Sequence, residues 1–185
     1  MKEGKTGVDA RWAYLIGCLL PSLVVIYTDA RYFEVSDKVV MFILLSGLLW
    51  SAHAGVLSDA LLGAGLGFIL LIGPCLMNLA GGGDLKYAAA LGVWFGPAGL
   101  VRILFWAAIL GAAWGILLKL RRGRFRAWLV TFLTGLWLRV AYNVRGSVLV
   151  PVVAGTQSKN IPAEAVPFCV FMALMAWIIF WCGGV

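Results

Sequence analysis

Long apolar runs separated by short polar segments dominate the chain, and the length of those runs decides its class. A helix that crosses the hydrocarbon core of a bilayer needs about 20 mostly apolar residues, with a range of roughly 17–25. Trp12–Thr28 meets that length and is followed by a polar segment, Asp29–Lys38. Val39–Ala54 is a second, short run, and Leu57–Leu79 a third that ends at Gly81-Gly82-Gly83-Asp84. Tyr87–Phe95 spans only if Asp84 and Lys86 belong to the same helix, and Gly96-Pro97 interrupts the pattern after it. Leu100–Leu118 and Ile161–Trp181 are the last two runs. Between them, Trp128–Val144 contains Arg139 and is flanked by Arg126 and Arg145, which suits a helix lying in the interface better than a span. The pattern predicts an all-α, polytopic membrane protein of about six transmembrane helices, with a basic loop and one interfacial helix. With no dividing linker and no internal repeat, a single domain over residues 1–185 is expected.

Composition sharpens this reading. Apolar residues make up 63% of the chain and charged residues 12%, against roughly 45–50% and about 25% in a soluble domain. One small core cannot hide that much apolar surface, so most of it must face lipid. A soluble enzyme, a secreted disulfide scaffold, a disordered chain and a nucleic-acid module are thereby excluded. The net charge of +7 is then best explained by basic loops on the cytoplasmic side, next to anionic lipid. The densest cluster is Lys119, Arg121, Arg122, Arg124 and Arg126. Placing it in the cytoplasm puts Asp29–Lys38, Gly81–Lys86 and Gln157–Asn160 on the same side and both chain ends outside. Lys2, Lys5 and Arg11 oppose this arrangement, and the stronger later cluster is taken to prevail. No small-residue cleavage site follows the first apolar run, so it is expected to be a retained helix. Cys18, Cys75, Cys169 and Cys182 form no CxxC pair and are expected to act as small buried hydrophobes. No metal or cofactor is expected. Small residues four apart, as in Gly63–Gly67, Gly92–Gly96 and Gly111–Gly115, let membrane helices approach closely.

Ionisable groups inside a membrane protein are the default functional candidates. Glu3, Asp9, Glu164 and Asp59 suit solvated or helix-end roles, and Ser36 or Asp37 suits the cap of the second helix. Asp29 and Asp84 differ, because each ends an apolar run on the same side and two spans separate them. They can therefore meet across a helix interface. Two carboxyls sharing a site do not both ionise easily, so one keeps a proton. The ionised partner can take a proton from water while the protonated one polarises a peptide carbonyl. Gly81, Gly82 and Gly83, without side chains, would let a substrate backbone approach. On spacing alone an acid pair and two unrelated helix-end aspartates remain equally open. The single histidine, His53, falls at the opposite face, away from both acids.

The segment Gly81–Gly96, GGGDLKYAAALGVWFG, resembles the GxGD-x-K-x-x-x-A-x-G-x-W-x-G segment of the prepilin peptidases, membrane aspartic proteases that process type IV pilins, pseudopilins and preflagellins. Gly81, Gly83, Asp84, Lys86, Gly92, Trp94 and Gly96 are in register. The family's D-x-R-x-x-x-I-P-N segment is matched by Asp29, Arg31 and Val35, with Ser36 and Asp37 in place of Pro and Asn. Asn160-Ile161-Pro162 looks like the family's start of the last helix.

The resemblance implies Asp29 and Asp84 as catalytic acids. It also implies Lys86 and Arg31 as supporting residues whose roles stay open. The substrate would be a prepilin-like protein with a short basic leader ahead of an apolar helix, cut at the cytoplasmic face of the inner membrane. The short, peptidase-only form similar to those of Tad/Flp pili is expected. An intramembrane protease of the presenilin type is a rival reading. So is a non-enzymatic pilus-assembly scaffold or a proton- or cation-coupled transporter.

Overall fold

The computed structural model describes residues 10–32, 34–76, 81–121 and 168–182. They are helical throughout apart from short connections. Four helices are long and apolar enough to cross a membrane: Ala10–Tyr32 (α1), Asp37–Ala54 (α2), Leu57–Leu76 (α3) and a run within Gly82–Arg121 (α4). A shorter apolar helix, Phe168–Trp181 (α5), completes the described elements.

The expected count of six spans is corrected to four among the described residues. The fourth and fifth runs lie within Gly82–Arg121 as two helical arms that meet at a kink, and the expected start of the last run, with the interfacial helix at Trp128–Val144, lies outside the described residues. The two arms are separated at Gly96. Its φ of 64° and ψ of −178° are non-helical, and Pro97 then opens the second arm at a position where a missing N–H costs nothing. The run folds back here. A methyl group at Gly67 would lie 2.9 Å from the Ala88 carbonyl oxygen and 3.0 Å from Leu100 Cδ2. In a straight helix, twelve residues at 1.5 Å each would hold those two about 18 Å apart.

Contact density divides the chain into two compact units, Met1–Gly111 with Pro167–Val185, and Ala112–Val166. The core of the first gathers around the first arm of α4, where Tyr87, Ala88, Ala90 and Leu91 are fully buried. Several polar groups inside it are paired, as burial demands, while the indole N–H of Trp177 has no partner. Tyr87 donates its hydroxyl to Ser22 Oγ at 2.8 Å, and Ser22 donates to the Cys18 carbonyl at 2.7 Å. Trp94 donates Nε1–H to the Ile43 carbonyl at 2.8 Å. Its ring lies between α1 and α2, against Gly17 and Gly47, where any Cβ would clash with it. Around Gly17 the first helix widens into a π turn, Leu15–Leu19. On the outside, Leu49, Ile69 and Leu76 are 74%, 68% and 78% exposed. Such surface suits acyl chains rather than water.

The connections place the site. The first helix continues past the expected end at Thr28 through Asp29, Ala30, Arg31 and Tyr32. Nothing in that stretch breaks a helix, and Arg31 in the last turn complements the helix dipole. The second helix begins after Ser36, whose backbone is extended and whose carbonyl accepts from Val39 and Val40 at 3.1 and 3.2 Å. The Ser36 side chain makes no cap bond. Gly55, with φ 74°, ends the helix in the left-handed conformation that glycine favours.

Candidate functional site

Asp29 sits in the last turns of α1 and is 5% exposed. Asp84 sits in the first turn of α4. Both line one pocket of about 650 Å³, together with Glu34, Val35, Ser36, Asp37, Lys38 and Gly81–Gly83. The sequence spacing therefore brings the two acids to the same place, each from a different helix.

Asp84 is held from both sides. Its Oδ2 accepts the Gly81 N–H at 2.9 Å, and its Oδ1 accepts the Cys169 thiol at 2.9 Å. Asp29 Oδ2 accepts the backbone N–H of the next residue, Val170, at 3.2 Å. Donors in the first turn of a helix have no acceptor within it, and Val170 lies there in α5. Two consecutive residues of the last helix thus reach the two acids. The thiol of Cys169 is 0% exposed, and the expectation of a small buried hydrophobe misses this contact. Its partner is 85 residues away in sequence, so no local spacing signals it.

The glycines have distinct surroundings. A methyl group at Gly83 would meet the Val35 side chain at 3.0 Å, so the space there belongs to the protein itself. One at Gly81 would meet only Asp84 Oδ2, at 3.5 Å, apart from a distant backbone nitrogen. Nothing lies within 4 Å of one at Gly82. Lys86 does not contact Asp84; its Nζ pairs with Asp37 Oδ1 at 2.8 Å, tying the connection before α2 to the start of α4. Both partners are largely exposed, at 55% and 72%, which limits such a pair to about 0–1 kcal/mol. Arg31 lies on the exposed side of α1 and is not among the residues lining the pocket. His53 is in the last turn of α2, at the end away from the pocket.

The model of the type IV leader peptidase family matches residues 15–116, a segment that contains both aspartates and the glycine run. Among curated proteins, the chain is similar to a prepilin leader peptidase/N-methyltransferase of Neisseria gonorrhoeae. The two are 28% identical over 124 residues, covering 61% of this chain and 43% of the relative. The chain thus spans less than half the length of that relative. No solved structure matches it.

Proposed function

The chain belongs to the type IV leader peptidase family, and from that premise we propose that it is a membrane aspartic endopeptidase that removes the short basic leader of prepilin-like proteins. One observation carries this reading: Asp29 and Asp84, from helices far apart in sequence, line one pocket beside a run of three glycines. The two carboxyls share one proton. The ionised one accepts a proton from the attacking water, and the protonated one donates to the scissile carbonyl as charge develops on its oxygen. When the tetrahedral species collapses, the proton passes to the departing amine, and the pair returns to its starting state.

Gly82 offers the open edge along which an extended substrate backbone can lie. Gly81 and Gly83 shape that edge: the first binds Asp84 through its N–H, and the second admits Val35. Arg31 and Lys86 act from outside the chemistry, Lys86 through its pair with Asp37. The pocket opens on the cytoplasmic face of the inner membrane. There the leader meets water while the substrate's apolar helix stays in the bilayer. No step requires a metal or cofactor.

The test is cleavage of a purified model prepilin by wild type, Asp29→Asn and Asp84→Asn in detergent or membranes. Wild type should release the leader. Each variant should lose about 10²–10⁴-fold in rate, the usual contribution of a positioned acid or base, while still extracting as folded protein. Retained cutting by both variants would remove the acid pair from the mechanism. An inactive wild type on several prepilins would favour the assembly scaffold.

A further inference from the structure

The geometry points to Cys169 as a positioning residue for Asp84, an inference that rests on the two-aspartate reading above. A buried cysteine normally serves as a small hydrophobe with a weak S–H donor. Here the sulfur is 2.9 Å from Asp84 Oδ1. The other oxygen, Oδ2, is already engaged by the Gly81 N–H. Together the two donors fix the plane of the carboxyl group: one donor alone leaves it free to rotate about that single bond, and the second removes the freedom. A carboxyl that must accept a proton from a water in the pocket gains from this, because effective geometry there is worth large factors in rate.

A second contact supports the assignment independently. The adjacent residue, Val170, gives its backbone N–H to Asp29 Oδ2 at 3.2 Å. One turn of α5 therefore sets the position of both acids, Asp84 through a side chain and Asp29 through the main chain. Only the side-chain half can be altered by substitution without disturbing the helix. Cys169 is fully buried and does not line the pocket, so it has no route to the substrate. Its removal should lower kcat and leave KM unchanged.

The test compares wild type, Cys169→Ser and Cys169→Ala for kcat, KM and melting temperature, with Asp84→Asn as the inactive control. Serine keeps a donor of similar size and should retain wild-type kcat within a few-fold. Alanine removes the donor and should lose on the order of ten-fold or more in kcat, as expected for one hydrogen bond to a charged group, with KM unchanged. Equal activity of the alanine variant would overturn the proposal. So would equal losses in both variants accompanied by lower melting temperatures, which would mark a packing role.

Infrared spectroscopy of the S–H stretch supplies a readout that needs no cleavage. The band that disappears in Cys169→Ser should move to higher frequency in Asp84→Ala, as the hydrogen bond is lost. A band that does not move would overturn the contact. If wild type cut no prepilin but the band did move, the peptidase reading would fail and the contact would stand.

Discussion

At Gly82 and Gly83, two glycines side by side in one motif have different reasons to be glycine, and the difference can be measured. A methyl at Gly83 would press on Val35 at 3.0 Å, and that residue lines the pocket. Gly83→Ala should therefore shift the segment before α2, lower the melting temperature by an overpacking cost of about 1–3 kcal/mol, and reduce leader cleavage. Gly82→Ala meets nothing within 4 Å and lies at the start of a helix, where alanine gains up to about 1 kcal/mol over glycine. Its melting temperature should be unchanged or higher, and its KM should rise if the substrate backbone passes over it. Thermal denaturation in detergent, set beside prepilin kinetics, checks both. That Asp29 and Asp84 could meet was legible in the sequence, because ionisable groups are rare in apolar runs and these two end runs on one side; the structure brings both to one pocket. Cys169 and the Lys86–Asp37 pair were not legible, since their partners lie 85 and 49 residues away. No periodicity links residues that only the tertiary fold brings together.

Helix α4 shows what the glycine and tryptophan positions after Asp84 do in the fold. Gly92 faces Gly63 of α3 so closely that a Cβ on either would collide with the other's backbone. Trp94 fills the gap between Gly17 and Gly47 and bonds the Ile43 carbonyl. Gly96 takes a backbone conformation open almost only to glycine. These residues hold the first arm of α4 against its neighbours, and the arm carries Asp84. Gly92→Ala cannot be relieved by a side-chain rotation, because the obstacle is main chain. It should abolish stable folding, seen as loss of monodisperse protein on extraction. Gly96→Ala has free space around its Cβ and should cost only the backbone strain, about 1–3 kcal/mol, seen as a lower melting temperature with the site intact. Gly96-Pro97 was readable as a break, and the runs on either side as helices. The turn at Gly96–Arg102 was readable too, but the continuation of α1 through Asp29 and Arg31 was not. That continuation depends on what packs alongside, and polar residues at a helix end look the same in sequence as the first residues of a loop.

For the whole molecule, the question is which way the pocket faces. The second helix runs from the pocket end, at Asp37, to His53 and Ala54. Its 18 residues span about 27 Å at 1.5 Å each, close to the roughly 30 Å of a bilayer's hydrocarbon core. The two ends of α2 therefore sit at opposite surfaces of the membrane, and the site lies at one of them. The proposed function puts the site at the cytoplasmic surface. Lys38 and Lys86 lie at the pocket end, which the positive-inside bias favours on the cytoplasmic side. A cysteine introduced at Glu34, in a background whose native cysteines are replaced by serine, should react with a membrane-impermeant maleimide only when the cytoplasmic surface is exposed. One at His53 should react only from the other side. Glu34 is exposed at the pocket rim and His53 is exposed near the end of α2, so both thiols are within reach of the reagent. Labelling of both from one side would mean that α2 does not cross the bilayer. The reversed pattern would place the acid pair outside the cell, where a leader on the cytoplasmic side of its own apolar helix could never reach it.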